Sequence, residues 1–156
     1  MTGTEAQISV PAGTSNDLWQ AQNRAPRIMQ PANDTNLEVE VKFNSNLVGR
    51  NEVQGLLVEA DDQNFIRFDF YSDGTSIRVF AASFLNGVPT IRKNLVIGSL
   101  PSGSPMYLRV QRSGAQWTQL YSFDGFNWLT AVTFSHTIAV SRVGVFVPTA
   151  MGDQVA

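Results

Sequence analysis

Short runs in which apolar and polar residues alternate recur along the chain. In the clearest of them, Leu37 to Phe43, apolar side chains take every second position and charged side chains the positions between them. Because successive side chains on a strand point to opposite faces, such a run predicts a β-strand with one buried and one solvated face. No stretch repeats its apolar residues with the 3.6-residue period of a helix. The pattern therefore predicts an all-β protein.

Turn-forming residues separate the runs. Asp73-Gly74 and Asn86-Gly87 are typical of two-residue hairpin turns, in which glycine supplies a positive backbone φ. The chain then holds about a dozen strands at a spacing of roughly 8 to 12 residues, which is typical of a two-sheet antiparallel sandwich or jelly roll. The near-continuous apolar run Leu56-Leu57-Val58 indicates a strand that is covered on both faces.

Length, charge and cysteine content limit the number of domains and the classes of partner and site that the sequence predicts. A chain of 156 residues fits one domain, so residues 1–156 are interpreted as a single β-sandwich domain. With a net charge of −2 and 15% charged residues, we expect neither a nucleic-acid nor a membrane partner. The absence of cysteine excludes disulfides, thiol nucleophiles and thiolate metal sites. A lone Met before polar residues and an abrupt end at Ala156 favour a domain excised from a larger multidomain protein.

Two stretches carry candidate binding residues. In the predicted hairpin from Pro105 to Trp128, Trp117, Gln119 and Tyr121 share a face, and this row is the best candidate for an exposed one. In the run from Phe65 to Tyr71, every second residue forms a face that is only half apolar. Flat rings flanked by hydrogen-bonding groups suit sugars, whose C–H faces stack on aromatic rings. The predicted ligand-binding residues are Trp117, Tyr121, Gln119, Tyr71, Arg67, Asp69 and Arg78, within a wider aromatic set that adds Trp19, Phe80 and Trp128.

The competing interpretation of these aromatic side chains is structural. Rings on the second face of a strand also fill the second layer of a sandwich, and core packing is the more common role of any single ring. The sequence leaves both roles open.

Acidic residues suggest two further kinds of site. Asp61-Asp62 and Asp73-Gly74-Thr75 lie in loops where oxygen donors could hold a structural calcium ion, although Asp also simply initiates turns. Glu38 and Glu40 would place their carboxylates about 6 to 7 Å apart, near the separation in glycosidases, yet they fall on the solvated side of their strand. Lone His136 has no second histidine with which to bind a metal and no nucleophile motif beside it. No catalytic residue is therefore predicted, and calcium is the only cofactor considered.

The segment Ser122 to Trp128 is similar to the Asp-box of sialidase-like propellers. That motif has one more residue between its Asp and its Trp, so the match fails. The alternative is a hairpin turn in which Asp124 accepts hydrogen bonds from backbone amides.

Three parts of the sequence together resemble a family of bacterial concanavalin A-like β-sandwich domains, which is described as a domain of unknown function. The family is related to the C-terminal, laminin G-like domains of β-xylosidases. The matching segments are LWQAQNRAPRIMQP, then LEVEVKF with GLLVEADDQNFIRFDF, then YLRVQRSGAQWTQLYSFDGFNW with VGVFV, and they span Leu18 to Val147. The resemblance implies a two-sheet jelly roll appended to secreted glycoside hydrolases or to modular surface proteins. Related hydrolases carry a Glu-x-Asp-x-x-Glu strand, whereas Glu38 to Phe43 has no Asp and ends in Phe, which argues against hydrolysis.

These observations predict a module that binds a polysaccharide or cell-surface glycan without catalysis, and the resemblance implies that it is bacterial and secreted. The alternative is a structural spacer or protein-docking module packed against a neighbouring catalytic domain of the same chain. A glycosidase is the weaker alternative, since it needs a buried carboxylate pair.

Overall fold

A computed structural model describes residues 6–8, 17–19, 22–23, 25–103 and 105–148. Within these ranges the chain forms twelve strands and no helix. The strands are β1 Leu18–Trp19, β2 Gln22–Asn23, β3 Arg27–Pro31, β4 Leu37–Phe43, β5 Val53–Glu59, β6 Phe65–Ser72, β7 Ser76–Leu85, β8 Val88–Ser99, β9 Met106–Ser113, β10 Gln116–Ser122, β11 Leu129–Ser135 and β12 Arg142–Phe146. None of the described residues belongs to a helix that could cross a membrane.

The strands form two large antiparallel sheets and one small strand pair. The six-stranded sheet has the order β3-β12-β5-β6-β7-β8, and the four-stranded sheet the order β11-β10-β9-β4, while β1 pairs with β2. All pairings are antiparallel. The all-β class, the two-sheet sandwich and the approximate number of strands are therefore confirmed. The finer assignment as a jelly roll stays a prediction.

The main core lies between the two sheets. Alternation places Ile66, Phe68 and Phe70 of β6 on the inner face of the six-stranded sheet, where they are buried with Leu108 and Val110 of β9. The apolar positions read from the sequence thus face one another across the sandwich.

A second apolar cluster lies on the outer face of the six-stranded sheet. Its members come from β1, β5, β6, β7 and β12 and from Ala25; the buried ones are Leu18, Ala25, Leu57, Phe65, Phe80, Ala82, Phe84 and Phe146. The rings of Phe65 and Phe84 stack with their centroids 4.1 Å apart. Because Leu18 of β1 is part of this cluster, residues 17–19, called here the N-terminal segment, lie against the outer face. The prediction that β5 is covered on both faces is therefore confirmed.

The hairpin of β9 and β10 differs from the expectation in which face its aromatic residues occupy. Trp117 and Gln119 are 0% exposed and Tyr121 is 8% exposed, so the predicted exposed row is wrong. The physical reason is the register: with Ser113 opposite Gln116, Gln119 stands opposite Val110 and Tyr121 opposite Leu108. Directly opposite residues of an antiparallel pair share a face, and that face is the core.

Candidate functional site

Four of the seven predicted binding residues lie together on the outer face of the six-stranded sheet. Arg67, Asp69 and Tyr71 follow one another at every second position of β6, and Arg78 stands directly opposite Tyr71 on β7. The other three, Trp117, Gln119 and Tyr121, lie in the core between the sheets. The structure therefore divides the predicted site: Arg67 and Tyr71 line a cavity, and Asp69 and Arg78 lie next to them.

This cavity has a volume of about 230 Å³. Its lining is supplied by residues 17–19, by strands β5 to β8, and by two irregular stretches, one before β5 and one after β12. The lining residues are Asp17, Trp19, Asn51, Val53, Arg67, Tyr71, Phe80, Ile91 and Pro148. We call it the outer-face cavity.

A buried ion pair fixes the floor of the outer-face cavity. Arg67 donates from Nε to Oδ2 of Asp69 at 2.8 Å and from Nη1 to the carbonyl oxygen of Leu18 at 2.9 Å. Its guanidinium also lies over the ring of Phe80, 5.1 Å from the centroid, which is a cation–π contact. Arg67 thus joins the N-terminal segment to the sheet.

Asp69 is fully buried beside Arg67. Burial raises the pKa of its carboxyl group, and the nearby positive charge of Arg67 acts against that rise. Its second oxygen, Oδ1, has no hydrogen-bond partner in the described part of the chain. The room for this side chain comes from Gly55, directly opposite on β5, where a Cβ atom would lie 2.5 Å from the Cβ atom of Asp69.

The aromatic residues of the cavity meet around Phe80. The ring of Tyr71 approaches it edge-on at 5.8 Å and 86°, and the ring of Trp19 lies tilted at 5.9 Å. Trp19 also meets Phe84 edge-on at 5.5 Å. Edge-to-face and tilted contacts of this kind hold ring orientations in place. Trp19 and Tyr71 are only partly buried, so both can contact a ligand.

A polar network holds the rim of the cavity at Tyr71. The Tyr71 hydroxyl and Nη1 of Arg78 both donate to Oδ1 of Asn94, at 3.1 and 3.0 Å. Arg78 also donates from Nε to Asp73 at 2.6 Å, and this hydrogen bond is the largest of several that hold the pKa of Asp73 below its usual range. Arg78 therefore orients Tyr71 through Asn94, and its charge is already compensated.

Sequence reasoning missed part of this site. Trp19 and Phe80 belonged to the wider aromatic set, but Asp17 and Asn51 carried no recognisable signal. Both lie in irregular segments, where alternation says nothing about the direction of a side chain. The position of Asp17 depends on the hydrogen bond from Arg67 to the Leu18 carbonyl oxygen, and that of Asn51 on the hydrogen bond from its backbone N–H to the Ser72 carbonyl oxygen.

The turn after β10 has the structural role that the failed Asp-box match suggested. Oδ1 of Asp124 accepts hydrogen bonds from the backbone N–H groups of Asn127 at 2.7 Å and Phe126 at 2.8 Å. These bonds, with one from the Asn127 side chain, lower the pKa of Asp124. The interpretation of Asp124 as an acceptor for turn amides is confirmed.

The pair Glu38 and Glu40 lies on the outer face of the four-stranded sheet. Glu40 Oε2 accepts from Nη2 of Arg109 at 2.8 Å, and Glu38 Oε2 accepts from Gln111 at 2.8 Å. Both glutamates are exposed, so the solvated-face interpretation is confirmed. A general acid needs burial to raise its pKa, which this pair does not provide.

The acidic loops considered for calcium use their carboxylates within the loops. Asp61 accepts from the backbone N–H groups of Gln63 and Asn64, both at 2.9 Å, and Asp73 accepts from Ser76 N at 2.7 Å. Among the described residues, no three His, Cys, Asp or Glu side chains are grouped so that they could hold a metal ion. Calcium binding stays a prediction that these contacts do not support.

Comparison with known proteins gives matches in structure alone. No protein-family model and no curated protein matches the sequence. A functionally unknown protein from Saccharomyces cerevisiae is 15% identical with a TM-score of 0.70, covering 86% of this chain and 74% of its own. The GH43 protein BlXynB from Bacillus licheniformis is 12% identical with a TM-score of 0.64, covering 81% of this chain and 30% of its own. The CBM2 module of an evolved Dit protein from Lactobacillus casei BL23 phage J-1 is 10% identical with a TM-score of 0.62, covering 97% of this chain and 76% of its own.

At these identities the likeness concerns the fold. This chain corresponds to 30% of the BlXynB chain, that is, to one part of a longer protein. The expected similarity to β-sandwich domains of xylosidase-type proteins is thus present at the level of the fold. Membership of the specific bacterial family stays a prediction.

Proposed function

We propose that this chain is a non-catalytic carbohydrate-binding module and that the outer-face cavity is its binding site. The observation that carries the proposal is the convergence of the rings of Trp19 and Tyr71 with the polar groups of Asp17, Asn51 and Arg67 around one cavity. Aromatic rings stack on the C–H faces of sugars, and amide and carboxylate groups bond to sugar hydroxyls.

The size of the cavity limits the part of a glycan that enters it. Its volume of about 230 Å³ is below the range typical of pockets for drug-sized ligands. We therefore expect one sugar ring to enter, as the end or a projecting unit of a longer glycan, while the rest of the chain lies along the rim.

The comparisons support this proposal without extending it. One structural neighbour is named as a CBM2, or carbohydrate-binding, module, and another is a GH43 protein of which this fold forms a part. The exposed and ion-paired state of Glu38 and Glu40 supports the non-catalytic role, because it leaves this pair without a buried acid.

Titration calorimetry against a glycan panel tests the proposal. Trp19→Ala and Tyr71→Ala should each weaken the binding of a recognised glycan at least about tenfold, or about 1.4 kcal/mol. Trp128→Ala is the matched control, because Trp128 is a partly exposed ring on Arg109, away from the cavity on the four-stranded sheet. If no glycan binds, or if Trp128→Ala costs as much affinity as Trp19→Ala, the proposal fails.

A docking module is the second candidate function, and one feature favours it. The turn between Ser122 and Leu129 is held rigid by Asp124, yet it leaves Phe126 88% exposed and Phe123 48% exposed. Rigid, exposed aromatic side chains are typical of contact surfaces. If docking against a neighbouring domain is the function, Phe126→Ser should lower the melting temperature of the full-length natural protein more than that of residues 1–156. Equal shifts would contradict docking through this turn.

A further inference from the structure

We propose that the outer-face cavity prefers a sugar that carries a free ammonium group over its neutral and acidic counterparts. This inference rests on the proposed function and adds the charge class of the ligand. It follows from the charges that line the cavity and from the partners that those charges already have.

The positive charges at the cavity are compensated. Arg67 is paired with buried Asp69, with 2.8 Å between Nε and Oδ2, and Arg78 at the rim is paired with Asp73 at 2.6 Å. Two of the guanidinium nitrogens of Arg67 are used, one by Asp69 and one by the Leu18 carbonyl oxygen. A carboxylate on the ligand would have to compete with these contacts, so an acidic sugar gains little here.

One negative charge at the cavity has no ion-pair partner among the described residues. Asp17 lines the cavity and forms no ion pair in the described part of the chain. Its Oδ1 accepts the backbone N–H of Leu18 at 2.7 Å, which fixes the carboxylate at the start of β1. The other oxygen has no hydrogen bond with a described residue. Asp17 also lies close enough to Asp69 to contribute to the raised pKa of that group.

The aromatic residues that line the cavity also favour a positively charged ligand. Trp19, Tyr71 and Phe80 line the cavity beside Asp17, and the negative face of an aromatic ring attracts a cation. Phe80 already receives the guanidinium of Arg67, whereas Trp19 and Tyr71 have no cation–π partner among the described residues. A carboxylate and two available rings suit an ammonium group carried on a sugar ring.

Four β-1,4-linked tetrasaccharides test this preference, because they share the configuration of glucose and carry a positive charge, no charge or a negative charge. The probes are the tetramers of glucosamine, N-acetylglucosamine, glucose and glucuronate, titrated by calorimetry at low salt and at a pH where the amine is charged. We expect the glucosamine tetramer to bind about tenfold more tightly than the glucose tetramer and the glucuronate tetramer to bind most weakly. The advantage should shrink as salt is added.

Asp17→Asn is the decisive variant. Its side-chain oxygen can still accept the Leu18 N–H, so the local backbone is retained while the charge is removed. We expect the affinity for the glucosamine tetramer to fall by more than the affinity for the glucose tetramer, so that the glucosamine tetramer loses its advantage. Asp62→Asn is the matched control, since Asp62 is an exposed acid in the turn between β5 and β6, at the opposite end of β6 from Tyr71.

The possible outcomes distinguish a failure of the charge preference from a failure of the proposed carbohydrate-binding function. If the four tetramers bind alike, if the glucuronate tetramer binds most tightly, or if Asp62→Asn has the same effect as Asp17→Asn, the charge preference is wrong and the carbohydrate site remains. If none of these tetramers nor any other glycan binds, the proposed function fails together with the inference.

Discussion

Arg67 and Asp69 are the residues on which the outer face of the six-stranded sheet depends. Their ion pair is almost completely removed from solvent, and Arg67 also holds the Leu18 carbonyl oxygen of the N-terminal segment. A buried pair need not stabilise a protein more than apolar residues would, but the loss of one partner leaves an uncompensated charge. The pair therefore specifies where the N-terminal segment lies, and with it the position of Trp19.

Removal of the positive partner should make stability depend on pH. The pKa of Asp69 is already raised by burial, and Arg67→Met removes the charge that opposes the rise. A raised folded-state pKa means that the folded protein keeps a proton that the unfolded chain loses above about pH 4. The variant should therefore lose stability as pH rises from there to the folded-state pKa. We expect a deficit of about 3–5 kcal/mol at pH 7 and a smaller one at pH 5, measured by urea denaturation.

The double variant Arg67→Met with Asp69→Asn is the control for this pH dependence. It removes both charges, so it should recover part of the lost stability at pH 7 and show no extra pH dependence. If Arg67→Met alone does not fold at pH 7, a double variant that does fold shows that the unpaired charge of Asp69 caused the loss. An equal deficit of the single variant at pH 5 and pH 7 would contradict the role given to Asp69.

At the scale of single strands, alternation predicted the shared face of four of the seven candidate binding residues and misplaced the other three. On β6 the polar residues Arg67 and Asp69 break the apolar pattern, so the outer face could be recognised from the sequence alone. On β10 the residues of both faces include polar side chains, so alternation alone did not show which face was buried. The register of the hairpin determines which face is buried. It sets Gln119 opposite Val110 of the core, and Trp117, on the same face as Gln119, therefore points into the core as well.

The turn after β10 is an element whose strength should depend on pH. Backbone N–H groups lower the pKa of Asp124, so its contribution to stability is present at neutral pH and is lost as pH falls below about 4. Asp124→Asn keeps an acceptor oxygen but not the charge. We expect the variant to melt at a lower temperature than the parent protein at pH 7, with the difference shrinking by pH 3. Thermal denaturation followed by circular dichroism measures both values.

Asp62→Asn serves as the control for this turn. Asp62 is an exposed turn residue whose carboxylate makes no hydrogen bond with the rest of the described chain. Its substitution should change the melting temperature little at either pH. If Asp62→Asn reproduces the behaviour of Asp124→Asn, net charge rather than the turn explains the effect.

At the scale of the whole molecule, the six-stranded sheet is covered on both sides but by different kinds of structure. The four-stranded sheet covers its inner face, and the pattern of apolar residues predicted that packing. The outer cluster around Phe65, Phe84 and Phe146 is covered instead by the short strand β1 and by Ala25. Strand β1 is two residues long, so no periodic pattern could have revealed its partner. The site was hard to predict because this cover supplies Asp17 and Trp19.

The same cover should couple stability to ligand binding. Leu18 is buried in the outer cluster and does not line the cavity, yet it stands between Asp17 and Trp19, which do. Leu18→Ala should lower the free energy of unfolding by about 2–5 kcal/mol and also weaken glycan binding several-fold, because it loosens the segment that carries both residues.

Leu47→Ala is the matched control: Leu47 is equally buried, but in the core between the sheets. Urea denaturation gives the stability of each variant, and calorimetry below the onset of unfolding gives its affinity. Leu47→Ala should cost a similar stability and leave affinity unchanged, whereas equal losses of affinity in the two variants would show that the N-terminal cover does not position the site.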